Sequence, residues 1–202
     1  MGRRIRPRER DPEEDPRRWE RLLSDANIPQ RYRRAQLDQV RGDSTWWLGA
    51  AVEDADAWLG RGYGYFIHGP NNTGKSSAAA LLAMDAIKRC ERVTWLAVRD
   101  VPGVRFREGP RETALHERLY QSDLLVLDDI GSETYRREGA GGGALEAVIR
   151  ILYDRDRSVV YTSNASWEQF RGAYAGVPSL VSVVTRQVWP VSMTALWPEG
   201  PE

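Results

Sequence analysis

"YGYFIHGPNNTGKSS", residues Tyr63 to Ser77, runs from an apolar, aromatic stretch through a glycine-punctuated turn into the alanine-rich "AAALLAMDAI" of residues 78–87. The order reads as strand, loop, helix. Gly69, Gly74, Lys75 and Ser76 satisfy G-x-x-x-x-G-K-[ST] in that context, which is where the pattern carries meaning. Each part has its own physical reason. Glycines let a loop wrap with its backbone N–H groups turned inward, so that they and the positive end of the helix cradle a phosphate. The residues expected to form the cradle are Gly69, Pro70, Asn71, Asn72, Thr73, Gly74, Lys75, Ser76 and Ser77. Lys75 would reach the outer phosphate oxygens, and Ser76 would offer its hydroxyl to Mg²⁺. Lys75 and Lys88 are the only lysines among 29 basic residues. In a chain that otherwise uses arginine, a lysine at position 75 marks a site that needs a compact ammonium rather than a broad fork.

A triphosphate site of this type needs acids at the end of a neighbouring strand, and "LLVLDDIG" (residues 124–131) supplies Asp128 and Asp129 after four apolar residues. Asp128 is expected to hold Mg²⁺ through its water shell, and Asp129 to polarise the attacking water. A glutamate is the more familiar base there, and an aspartate is one methylene shorter. The next apolar run ends in "YTSNAS", where Asn164 has two readings: a bridge between the water and the terminal phosphate, or the cap of a helix starting at Trp167. Arg186 likewise reads either as a finger inserted into a neighbouring subunit's site or as an ordinary surface arginine.

Outward from the loop, "RVTWLAV", "LLVLDDI" and "SVVYTSN" are continuously apolar runs separated by helical stretches near 74–89, 111–121 and 143–155. Continuous runs alternating with helices predict an α/β fold with a parallel sheet covered on both faces. A helix near 179–188 leads to an expected edge strand, "PVSMTALW" (190–197), and a helix is expected from about 44 to 59 with Gly60 as its stop. Residues 1–14 mix arginine with acids and proline and read as a disordered tail. Asp15 and Pro16 then open a short amphipathic helix with Trp19, Leu22 and Leu23 on one side. The expected organisation is a tail plus short helix over 1–24 and one ATPase domain over 25–202.

Composition narrows the function. The 29 basic and 29 acidic residues cancel, so bulk charge points to no nucleic-acid partner and any such surface is local. No apolar stretch approaches the roughly 20 residues of a membrane span, and "MGRRIRPRER" has no apolar signal core behind it. A soluble, cytoplasmic protein is expected. Cys90 is the single cysteine, and His68 and His116 are far apart, so no disulfide or metal cluster is expected.

Together with "ANIPQRYR" (26–33), the runs "GPNNTGKS", "LLVLDDIG" and "YTSN" and the single arginine about twenty residues later resemble the AAA+ ATPases of the DnaC and IstB type. These are bacterial and phage helicase loaders and transposition helpers. The resemblance covers about residues 20–197. It implies a P-loop NTPase core with a five-stranded parallel sheet in the order five-one-four-three-two, ATP and Mg²⁺ as cofactors, and self-assembly through ATP sites shared between subunits. It also implies Arg186 as the finger, Asn164 as the first sensor, and Ile28 and Tyr32 as lining of the adenine pocket. Ser182 stands where the family often has a second arginine, four residues before the finger. Only about 25 residues precede the ATPase where many loaders carry a helicase-gripping domain. The Trp19 helix either takes that role or packs on its own domain.

The resemblance implies a replicative hexameric DNA helicase and single-stranded DNA as partners. For the DNA, Arg105, Phe106, Arg107 and Arg111 in "VRFREGPR" combine phosphate-pairing cations with a stacking ring, with Arg136 and Arg137 as a second possibility and a solvated loop as the plain alternative. Three functions compete: an ATP-hydrolysing helicase loader acting during DNA replication, an IstB-like transposition helper on duplex DNA, and a nucleotide-gated adaptor with negligible turnover.

Overall fold

The computed structural model describes residues 12–37, 40, 45–89, 91–103, 110–131 and 141–193. Five parallel strands form its centre: β1 (Gly64–His68), β2 (Val93–Ala97), β3 (Leu124–Asp128), β4 (Ser158–Ser163) and β5 (Val188–Ser192). Their order is β2-β3-β4-β1-β5, which is the expected order read from the other edge. The helices are α1 (Pro16–Asp25), α2 (Thr45–Glu53), α3 (Ala55–Trp58), α4 (Lys75–Lys88), α5 (Pro110–Gln121), α6 (Gly141–Tyr153), α7 (Trp167–Ala173) and α8 (Pro178–Gln187).

Successive side chains of a strand point to opposite faces, so a sheet covered on both sides must be apolar at every position. In β3, Leu124 and Val126 join one core with α1, α2 and α4, while Leu125 and Leu127 join a second with α6, α7 and α8. The inner strands β1 and β4 divide in the same way, with Ile67 and Val160 in the first core and Phe66, Val159 and Tyr161 in the second. Helix α4 is buried along much of its length, and Ala78, Ala79, Ala80, Ala83 and Ala86 let it lie close against the sheet.

Several boundaries differ from the sequence reading, each for a local reason. The helix expected over 44–59 is two helices, α2 and α3, meeting at Asp54, whose carbonyl accepts from the Ala57 N–H at 2.8 Å in a three-residue turn. Strand β5 begins at Val188, directly after α8, because Val188 pairs with Gly64. Pro190 sits within it, as an edge strand allows. Residues 194–197 of the expected strand lie outside the described residues.

Helix α1 crosses the expected boundary at residue 24. Asp15 caps it, accepting from the N–H groups of Arg17 at 3.0 Å and Arg18 at 3.2 Å. Leu23 is fully buried in the first core. Beyond the helix, the Ala26 carbonyl accepts from the Trp95 N–H at 2.7 Å, and the Asn27 side-chain amide donates to the Trp95 carbonyl at 3.0 Å. The helix therefore packs on the core of the sheet domain, the plainer of its two expected roles.

Candidate active site

In an open parallel sheet, ligands collect at the carboxyl ends of the strands, where loops from neighbouring strands face one another. The loop after β1, the acids ending β3 and the residues ending β4 meet there around a cavity of about 560 Å³. Asn71, Asn72, Thr73, Gly74, Lys75, Ser76 and Ser77 line it. Gly69 starts the loop at φ +149°, and a Cβ there would stand 2.0 Å from the carbonyl oxygen of Met193, so only glycine lets the chain leave β1 beside that backbone. Gly74 at φ +86° turns the chain into α4. Pro70 contributes its carbonyl, which accepts from the Lys75 ammonium and, at 3.0 Å, from the Thr73 hydroxyl. Burial lowers the Lys75 pKa, while Asp129 and Asp128 oppose that shift.

The two aspartates reach the cavity by different routes. Asp128 is the last residue of β3 and buried; its Oδ1 accepts from the Ser76 hydroxyl at 2.8 Å and from the Thr162 hydroxyl at 2.7 Å. A continuing strand would send residue 129 to the other face. Asp129 instead adopts φ +68°, a left-handed conformation that aspartate tolerates better than most side chains, and ends the strand. Its N–H donates to Thr162 Oγ1 at 2.8 Å, and its Oδ1 accepts from the Asn164 side-chain amide at 3.0 Å. Both carboxylates thereby line one cavity. Burial raises the Asp129 pKa, the Asp128 charge raises it further, and Lys75 and Arg99 pull it down.

Asn164 is free for that contact because Ser166 caps α7 instead. The Ser166 hydroxyl accepts from the Gln169 N–H at 3.2 Å, and the Gln169 side-chain carbonyl accepts from the Ser166 N–H at 2.8 Å, a complete capping box. The capping alternative for Asn164 is thus taken by its neighbour.

The remaining expected site residues separate. Tyr32 lines the cavity, whereas Ile28 is only 1% exposed, belongs to the first core and is not among the residues lining the cavity. Arg186 is exposed in the last turn of α8 and lines a separate groove of about 640 Å³ with Glu168, Arg171 and Ser182. Arg105, Phe106 and Arg107, with Arg136 and Arg137, lie outside the described residues. Arg111 falls in α5, and only its backbone is described.

Three cavity residues were missing from the expected site. Thr162 stands in the quoted "YTSN" run and bonds both aspartates. Arg31 lines the cavity and lies over the Tyr32 ring, 4.7 Å from its centroid. Arg99 lines it from the turn after β2. Nothing local distinguishes either arginine among the 27 of the chain.

A family profile described as "IstB-like ATP binding protein" matches residues 54–187. The chain belongs to that family. Its five-stranded parallel sheet with flanking helices is a P-loop fold of the AAA+ type. The Replication factor C large subunit of Halobacterium salinarum is 30% identical over 145 residues, covering 69% of this chain and 29% of that protein. The chain therefore spans under a third of the length of these curated relatives. Among solved structures, that of the DnaC helicase loader superposes with a TM-score of 0.69 at 19% identity, covering 82% of this chain and 99% of that one. DnaI gives 0.67 at 19% identity over 83% and 95%. The replication initiator DnaA bound to AMPPCP and single-stranded DNA gives 0.64 at 20% identity over 82% and 50%. At such identities the likeness is one of fold. Among the described residues, no helix is long and apolar enough to cross a membrane.

Proposed function

We infer that this ATPase is a helicase loader, which uses ATP to load a replicative hexameric DNA helicase onto single-stranded DNA during DNA replication. The observation that carries this reading is the extent of the fold's likeness to the DnaC helicase loader, which spans 99% of that chain but only 50% of the DnaA chain.

In this reading the triphosphate lies along Asn71–Ser77, and Lys75 exchanges the Pro70 carbonyl for the outer phosphate oxygens. The Ser76 hydroxyl and Asp128 carboxylate, 2.8 Å apart, form a pair of hard oxygen donors suited to Mg²⁺, with the carboxylate acting through the ion's water shell. Held by these two groups, the ion would supply neutralisation of phosphate charge. Asp129 takes the proton of the attacking water, held in position by Asn164 and Thr162. Arg186 lies away from its own chain's cavity, as a finger for a neighbouring subunit's site would.

The test uses the full chain and a purified hexameric replicative helicase with circular single-stranded DNA. ATP-dependent capture and transfer of the helicase, lost in Lys75→Ala, is the expected result. Absence of capture by the wild type, with ATP turnover stimulated by duplex DNA, would contradict it. That outcome would favour the transposition-helper reading, which the IstB-like family match supports.

A further inference from the structure

The cavity holds more positive charge than the phosphate loop accounts for. Among the described residues its cations are Arg31, Lys75 and Arg99, against the carboxylates of Asp128 and Asp129. Arg31 lies over the ring of Tyr32. Arg99 is placed differently. Ala97 pairs with Asp128 in the β2–β3 ladder, so Arg99, two residues past the end of β2, rises beside Asp129, one residue past the end of β3. Lys75 enters from the loop after β1, beyond β4 in the sheet. The pair of aspartates thus stands between an ammonium on the β1 side and a guanidinium on the β2 side.

Resting on the ATP-site reading, we propose that Arg99 is a second catalytic cation supplied by the same chain, whose guanidinium meets the terminal phosphate of bound ATP opposite the ammonium of Lys75. Its present engagement is light. Arg99 Nε is 4.0 Å from Asp100 Oδ1, beyond hydrogen-bond distance, and the side chain is 70% exposed, so a phosphate can take it over at little cost. Charge argues in the same direction. Among the described lining residues, cations and carboxylates balance without Arg99, and a triphosphate would meet no net positive charge from them. With it, the cavity is positive before the nucleotide arrives. The planar fork of a guanidinium also suits the oxygens of one phosphate, which a γ-phosphate presents and ADP lacks. Arg99 acts on charge that develops as the γ-phosphate departs, a task that the distant Arg186 cannot perform within its own chain.

The experiment compares Arg99→Ala and Arg99→Lys with the wild type, in the full chain. Calorimetry gives the Kd for ADP and for a non-hydrolysable ATP analogue, and steady-state assays give kcat and KM. Arg99→Ala is expected to weaken the analogue roughly tenfold and lower kcat by about 10- to 100-fold, with ADP affinity kept within about twofold. Arg99→Lys should regain most of the analogue's affinity but little of kcat, because an ammonium lacks the fork. Equal losses for both nucleotides, or no loss for either, would overturn the proposal. Mixing Arg99→Ala with Lys75→Ala chains should restore no turnover, since each site must hold its own Arg99; recovery would mean that Arg99 acts across subunits and would also overturn it. A wild type that binds neither nucleotide would overturn the ATP-site reading itself, a result distinguishable from wild-type binding left unchanged by Arg99→Ala.

Discussion

Asp129 combines the features that make a side chain reactive: a left-handed backbone, half-burial, a like charge next to it and an amide bonded to its carboxylate. Asp129→Asn should therefore lower kcat by about 10²- to 10⁴-fold, the span of a general base, while ATP affinity stays within a few-fold. The pH dependence has a definite sign. Burial and then Asp128 hold the Asp129 pKa above the ordinary aspartate range, and a base works only when ionised. The kcat/KM profile should therefore rise with pH through a midpoint above about 4; a midpoint below that would remove Asp129 as the base. A second residue tests the packing. The Tyr161 hydroxyl is fully buried without a hydrogen-bond partner among the described residues, so Tyr161→Phe should stabilise the chain by about 1 kcal/mol in urea unfolding. At this scale the phosphate loop and both aspartates were legible because they carry spacing and neighbours. Arg99 was not, since its place comes from the β2–β3 register rather than from adjacent residues.

Among the elements, the inner strands were the most legible, because burial on both faces forces continuous apolar runs. Phe66 of β1 shows what that burial supports: its ring lies 4.9 Å from Phe170, 5.0 Å from Trp167 and 6.2 Å from Tyr161 between centroids. Phe66→Ala should cost about 3–5 kcal/mol in the same measurement. The sequence reading began the edge strand at Pro190, whereas pairing with β1 begins at Val188, directly after α8. At the opposite end of the sheet from the cavity, Asp123 ties three elements together. It accepts from the Arg92 N–H at 3.0 Å, from Arg92 Nε at 3.3 Å and from Arg157 Nη1 at 2.8 Å. Burial pushes its carboxyl up, but the Arg92 hydrogen bonds and charge prevail and bring it down to about 2. A depressed acid contributes stability above its unfolded pKa, near 4, and loses it as pH falls through the folded value. The expected outcome is a chain whose stability declines from pH 4 to pH 2. Asp123→Asn should cost about 3 kcal/mol at pH 7 and flatten that decline.

For the whole molecule, the sheet order brings the ends of β1, β3 and β4 to one cavity, while Arg186 sits on a different surface. Both sequence readings of Arg186, a finger for a neighbouring subunit's site and a surface arginine, agree with a place away from its own chain's cavity. The sequence left α1 between two roles; Leu23 in the first core makes removal of Pro16–Asp25 a loss of core. In the proposed function, the main-chain amides of the loop after β1 and the Lys75 ammonium grip the triphosphate. The most direct measurement is ATP affinity and turnover of the full chain with Lys75→Ala, with thermal unfolding as a control for folding. A loss of roughly 100-fold or more in turnover, weakened ATP binding and an intact fold are the predicted result. Unchanged affinity and turnover in a folded variant would contradict it.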